Sequence, residues 1–340
     1  MSEDFSGGVV ATRLACSVHG AKAIAPINRH SVLFFSGDEL LLASPEGVET
    51  LMKVELPPEK DVAWANRHLA ARLIVSRDER FCALVNDYGR YGIVIDLQTR
   101  QTTMCLDRGE YHPETTPFPA AFVVHQGRSI LIHGTDWNRV DASDPQSGNL
   151  LSARSPTSYQ EGQERPEHYL DYFHGKLHVS PDGEWILDDG WIWHPMGAPL
   201  VWHTKDWLAR NLWEAEDGAS HKILCYRDYH WDVPMAFLDS NRAAISGLGD
   251  DDEEMIAGAR VFDVRTGEEV NAFAGPSGLF WSDGRHLLSV EEDGLHLWDV
   301  STGISIGHID GFRPQFQVSD ALVEIKEDFL KFWSFVSAAV

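Results

Sequence analysis

The feature that most restricts this chain is an internal repeat. Residues 278–312, GLFWSDGRHLLSVEEDGLHLWDVSTGISIGHIDGF, divide into short runs. LFW ends at the turn SDGR, HLLSV ends at EEDG, LHLWDV ends at STG, and ISIGHI follows. Each run has the length of one strand, and each break carries Asp, Gly or Ser, which suit tight turns. Four such strands joined by three turns make one antiparallel sheet.

Fainter copies lie on both sides. They cover residues 23–56, 73–106 and 122–153, a pair of segments at 177–190 and 199–208, another pair at 235–249 and 259–273, and a last copy at 316–336. This predicts an all-β chain, a single β-propeller domain of seven four-stranded blades, with six as the alternative because the first and last copies are the faintest. The last copy is one strand short. A β-prone run at residues 9–15 is left over, and it is expected to pair onto residues 329–336 and close the ring. An open ring would leave blade faces and a strand edge exposed. Residues 1–7 are expected to be a disordered tail.

The segment 278–312 resembles a WD repeat. Leu297-Trp298-Asp299 is similar to that family's terminal Trp-Asp pair, Gly307-His308 to its Gly-His pair, and Asp293 to the Asp of the turn before the Trp strand. In the last copy Trp333 takes the Trp position and Ser334 replaces the Asp, while the third and fourth copies lack the pair. The resemblance implies a propeller and a protein-interaction scaffold without catalysis.

Composition narrows the partners. The formal net charge is −24, which opposes phosphate backbones and argues against nucleic acid, while it can steer a basic protein or peptide. Cys16, Cys82, Cys105 and Cys225 form no C-x-x-C pair and no zinc-finger spacing, so free thiols in a reducing compartment are expected. The opening MSEDFSGGVV has no secretory pattern, and no run approaches the roughly 18 apolar residues of a membrane span. The expectation is a cytoplasmic chain with no membrane partner, monomeric outside any complex.

In a propeller, the turns between second and third strands open on the same face as the links that enter each blade. The excess length falls there. DRGEYHPETTPFPA enters blade three, SPTSYQEGQERPEHYLDYFHGK blade four, and WEAEDGASHKILCYRDYHWDVP blade five; KILCY within the last reads as an outer strand. GTDWN, DDGWIWHPMGA and GLGDDDEEMIAG lie between second and third strands. Long loops are where function is grafted, so blades three to five form the candidate face. Its candidate binding residues are Asp136, Trp137, Trp191, Trp193, His194, His230, Trp231 and Asp232, with Asp250, Asp251 and Asp252 from the acidic run. Trp is a frequent interface anchor, and acids would rim it. His112, His168, Asp171 and His174 lie in the same loops.

Two functions remain from this reading. The first is a non-catalytic scaffold that grips a protein or peptide, basic in character, on that face, with no cofactor. The alternative is a metal-assisted hydrolase or lyase with a His/Asp site at the channel mouth, although no tight His spacing supports it. The run Asp250–Glu254 lacks the calcium-loop pattern. No G-x-S-x-G, G-x-x-x-x-G-K-[ST] or G-x-G-x-x-G occurs. Phe262–Gly267 looks like part of a quinoprotein docking repeat, but it lacks the following Trp and reads as a hairpin turn.

Overall fold

The computed structural model of the protein describes residues 8–59, 68–159 and 162–335. The expected tail at 1–7 and the end of the expected closing strand at Val336 lie outside them. The fold is all-β, and its seven sheets are the seven blades of a β-propeller; all but blades four and seven are meanders in chain order. The chain divides into two compact units, Met1–Lys53 with Val233–Val340, and Val54–Asp232. Among the described residues no helix is long and apolar enough to cross a membrane.

The first unit holds blades one, five, six and seven. Blade one is built from Ala23–Pro26, Val32–Ser36, Glu39–Ala43 and Val48–Lys53, and blade five from Met235–Phe237, Arg242–Leu248, Ile256–Asp263 and Glu268–Ala274. Blade six comprises Leu279–Ser282, Leu287–Val290, Gly294–Asp299 and Ile304–Asp310. Blade seven takes three strands from the end of the chain, Phe316–Val318, Ala321–Lys326 and Phe329–Ser334. Its fourth is Val10–Arg13, antiparallel to the third, with Val10 opposite Phe332 and Arg13 opposite Phe329. Leu14 follows that strand into a core with Val32, Phe34, Val323 and Leu330. The expected pairing of the N-terminal strand onto the last copy is therefore present.

The second unit holds blades two, three and four. Blade two is Ala70–Val75, Phe81–Asp87, Tyr91–Asp96 and Gln101–Asp107. Blade three has Ala120–His125, Arg128–Asp136 and Arg139–Ser143, with its fourth strand reduced to a single bridge between Ser143 and Leu150. Blade four keeps the four-strand plan in Phe173–Val179, Trp185–Ile192, Leu200–His203 and Lys222–Ile223, so the KILCY segment does supply an outer strand. A two-residue pair, Met196–Gly197 with Arg227–Asp228, is added to it, together with the short helices Thr204–Ala209 and Glu214–Asp217.

Local chemistry explains why the repeats fold alike. In blades two, three, five and six the turn after the third strand opens on an Asp whose side chain caps two backbone N–H groups. Asp96 accepts from Gln98 and Thr99, Asp144 from Gln146 and Ser147, Asp263 from Arg265 and Thr266, and Asp299 from Ser301 and Thr302. Four residues after each Asp, the chain turns through positive φ, at Arg100, Gly148, Gly267 and Gly303. These are Asx turns, which cost no distant contact to form. The Asp263–Gly267 segment is one of them, in agreement with its reading as a hairpin turn.

Blade three departs from four full strands for a visible reason. Ser152 Oγ takes the Ala142 N–H at 2.8 Å, in place of a ladder bond. Arg154 then swings inward to Asp141 at 2.5 Å and to Glu216, with all three side chains almost wholly buried. Burial raises Glu216 against the pull of Arg154. Burial also acts to raise Asp141, but Arg139, Arg154 and Thr135 outweigh it and hold that carboxyl low. The edge is thus covered by an ion network and a short helix rather than by a long strand.

Docking of the N-terminal strand can be measured through Leu14, which is 3% exposed. Leu14→Ala should lower unfolding stability by about 2–5 kcal/mol in urea titrations. A loss below about 0.5 kcal/mol would place Leu14 at a solvated surface and contradict the pairing.

Candidate functional site

In the second unit, the link from blade two to blade three is held chiefly by one side chain, Arg108, with Arg72 and Asp87 bonded to Phe118 at its far end. Arg108 is 4% exposed, and burial pushes its pKa down to about 10, which leaves it protonated at neutral pH. A guanidinium has five N–H donors. Nε donates to Gly89 O at 2.8 Å. Nη1 donates to Thr116 Oγ1 and Pro117 O, both at 3.0 Å. Nη2 donates to Thr116 O at 2.8 Å and to Pro113 O. The link is thereby shaped into a short 3₁₀ turn, Pro113–Thr115, entered through His112 in the left-handed region.

On this link stands an aromatic platform. Tyr111 lies 5.2 Å from Trp137 and 5.9 Å from Phe173, between ring centroids, and Trp137 lies 4.7 Å from Phe173. Phe173 stacks at 4.3 Å on Trp191, which stacks at 5.0 Å on Trp231. Thr115 pins both indoles, accepting from Trp191 Nε1 at its hydroxyl (3.3 Å) and from Trp231 Nε1 at its carbonyl (3.0 Å). Trp193 meets Phe173, Trp191 and His112 edge-on at 5.2–5.6 Å. Tyr169 and Tyr159 extend the group, with Arg165 over the Tyr169 ring at 4.2 Å. Edge-on and offset contacts of this kind satisfy the ring quadrupoles and fix the rings in place.

The residues singled out in the sequence take different places. Trp137 is half-buried within the platform. Asp136 beside it accepts from Trp137 N (2.8 Å) and from Ser158 Oγ (2.6 Å). Trp191 is buried at 3% and forms the floor rather than the surface. Trp193 is 40% exposed and forms the outer surface, followed by exposed His194 at a φ of 105°. Trp231 is half-buried and roofs Trp191. The His230 carbonyl lies where a Cβ on Gly197 would fall, so that strand position admits only glycine. Asp232 accepts from Tyr88 OH at 2.5 Å. Asp250, Asp251 and Asp252 belong to the first unit. There Asp250 pairs with Arg260 at 2.9 Å, Asp251 caps a one-turn helix through Glu253 N, and Asp252 begins that turn.

The loop histidines each face their own carboxylate: His112 faces Glu114 (2.9 Å), His168 faces Asp217 (2.8 Å) and buried His174 faces Asp188 (2.6 Å). Among the described residues they do not converge as a metal-ligand set. The first strands of blades two and four also carry Arg72, Lys176 and His178. Burial, with Lys176 and Arg72 adding to it, drives His178 down to about 3; burial, with His174 adding to it, drives His221 down to about 4. At the opposite end of the strand Arg128–Asp136 an open groove of about 860 Å³ is bordered by Asp78, Arg80, His125, Arg128, Asp144 and Leu208.

A search for Trp and His in long loops missed Arg108, Tyr111, Thr115 and Phe173. Tyr111 was visible as an aromatic in the same link as His112. Phe173 could be found only as the first residue of an inner strand. Nothing in sequence distinguishes Arg108 from other arginines that follow a strand.

Comparison with known proteins gives the fold and no family. No protein-family model matches the chain, and no curated protein matches it in sequence. Among solved structures, it is similar to a chain in the crystal structure of the Mitotic Checkpoint Complex, at a TM-score of 0.55 and 15% identity, over 96% of this chain and 93% of that one. At that identity the likeness concerns the fold.

Two outcomes follow from this geometry. Arg108→Lys offers three donors where five are used, so buried carbonyls lose their partners. Stability should fall by at least about 3 kcal/mol in urea, with a red shift of Trp emission; an unchanged emission maximum would mean that Arg108 does not hold the platform. The second concerns pH. His178 and His221 have folded pKa values below the ordinary value of about 6.5, so protonation favours the unfolded chain. Stability should be full above about pH 6.5 and decline as pH falls toward about 4. A His178→Gln, His221→Gln variant should flatten that decline in pH-dependent urea midpoints, and an identical slope would refute the assignment.

Proposed function

We propose that this chain is a non-catalytic protein-interaction scaffold, and that the aromatic platform of blades three and four is the face that takes its partner. The observation that carries this reading is the platform itself: Tyr111 (45% exposed), Trp193 (40%) and Tyr159 (43%) stand in solvent on rings that are already stacked and bonded beneath them. Exposed large aromatics fixed before binding are the usual hot spots, because little rotamer entropy remains to be lost. Tyr229, 67% exposed, is tethered next to the Trp193 turn by its N–H to Pro195 O.

The charge around the rings supports a basic protein or peptide. Glu110, Glu164, Glu167 and Asp171 are exposed in the same links, and Asp136 lies within the cluster. With a net charge of −24, the field would hasten the approach of a cationic segment and repel acidic ones. The acids Asp250, Asp251 and Asp252 add to that long-range field. The similar solved structure is that of a protein complex, which fits a fold that works through contact.

The test is recovery from native cell extract on immobilised protein, quantified by mass spectrometry. A Tyr111→Ala, Trp193→Ala variant should lose at least about tenfold of a polypeptide held by the wild type, since each hot spot carries about 2 kcal/mol or more. Arg128→Ala, in the groove at the other end of blade three, should retain it, and retention should weaken as salt rises. Equal recovery on the double variant would remove the platform as the binding face.

A further inference from the structure

The third and fourth strands of blade six bring two histidines face to face. His296 and His308 are direct antiparallel partners, and their rings stack at 4.1 Å with 23° between planes. Asp293, in the turn just before the third strand, reaches both. Its Oδ1 is 2.8 Å from His296 Nε2, and its Oδ2 is 3.7 Å from His308 Nε2. The three ligand atoms lie within 4.8 Å of one another. The turn is fixed by backbone: Glu291 N donates to Gly294 O at 2.8 Å, and Gly311 N donates to Asp293 O at 2.7 Å. At Gly294 a Cβ would run into Ile309 O, so the close approach of the two strands requires glycine. The Asp293 side chain is 63% exposed, and the histidines 18% and 31%, so an ion and water can reach all three.

One more contact sets the chemistry. His308 Nδ1 lies 3.1 Å from Asp310 Oδ1. A carboxylate there favours the tautomer with its proton on Nδ1, which leaves the Nε2 lone pair directed at Asp293. That lone pair and the Asp293 carboxylate converge where a cation, a proton or a metal ion, would be held between them. We propose that Asp293, His296 and His308 form a binding site for a divalent transition metal, zinc foremost, with Asp310 orienting His308 and water completing the coordination. Two borderline imidazole nitrogens with one hard carboxylate oxygen are a mixed set that zinc accepts, whereas calcium and magnesium take oxygen ligands. Zinc holds nitrogen and oxygen at about 2.0–2.2 Å, so its ligand atoms stand no more than about 4.4 Å apart. Closing on an ion requires the two stacked imidazoles, as well as the exposed Asp293 side chain, to turn toward it. Bound metal would clip the two outer strands of blade six to their turn. The site owes nothing to the aromatic platform, and the two readings stand or fall separately.

The experiment titrates ZnCl₂ alone into the metal-free full-length chain by calorimetry. A saturable site at one zinc per chain is expected, together with a rise in the thermal midpoint through linkage. His296→Gln and His308→Gln should each weaken binding by more than about a hundredfold. Asp310→Asn, which touches no metal, should weaken it by roughly tenfold to a hundredfold. His125→Gln, at a histidine outside blade six, should leave it unchanged. Cobalt should give visible d–d absorption that both blade-six histidine variants lose. All variants alter half-exposed or exposed side chains, and thermal melts without metal confirm that they fold. Absence of zinc uptake by the wild type would overturn the site, and so would equal affinity and stoichiometry in His296→Gln and His308→Gln.

Discussion

A buried cation bonded only to neutral oxygens holds the link from blade two to blade three in place. Arg108 spends all five N–H groups on four carbonyls and one hydroxyl, and among the described residues no carboxylate is hydrogen-bonded to it. Asp87, Glu59 and Glu114 supply countercharge from farther off, but burial still lowers its pKa. Such an arrangement is costly to desolvate and is stable only if every donor is used. It is also directional, because a planar fork accepts one arrangement of carbonyls. The link from blade two to blade three therefore has a single shape, and that shape places Thr115 under two indoles and Tyr111 over Trp137. A string of weak ring contacts becomes a fixed surface because its base cannot slide.

Buried charge does comparable work at the edge of blade three. Asp141 and Glu216 share Arg154 in a site almost free of water, and their pKa values move in opposite directions. An apolar cluster of the same volume would hold the edge as well or better. What the ions add is position: Arg154 ties the end of blade three to the helix Glu214–Asp217, and Asn138 Nδ2 ties the turn beside Trp137 to Leu170 O at 2.9 Å. Long loops that would otherwise wander are bound at several polar points, and the rings they carry share one surface.

The repeat was legible because it is written in local chemistry. Asp96, Asp144, Asp263 and Asp299 each close a hairpin with their own neighbours, so the turns follow from sequence without the rest of the chain. The N-terminal strand was legible by subtraction, since the last copy lacked a partner. The fourth strand of blade three was not, because the inward turn of Arg154 depends on Asp141 together with the distant Glu216. The site was legible as a region and not as a list. Trp191 and Trp193 are two residues apart and should share a side of the strand, yet one is buried and the other stands in solvent. The strand Trp185–Ile192 ends between them, and His194 follows at a φ that no regular strand allows.

That break in the strand links the fold to its proposed use. If the alternation of Trp185–Ile192 continued, Trp193 would share the face of buried Trp191. The chain instead leaves the sheet, and the added pair Met196–Gly197 with Arg227–Asp228 anchors its return. Backbone strain at an exposed histidine costs of order 1–3 kcal/mol and persists only where the surroundings enforce it. Here they hold a large ring in water above a floor of stacked aromatics. Folding alone offers no reason for this, since burying Trp193 would contribute more stability than exposing it. A surface maintained against that preference, on supports this rigid, is what an interface requires before its partner arrives.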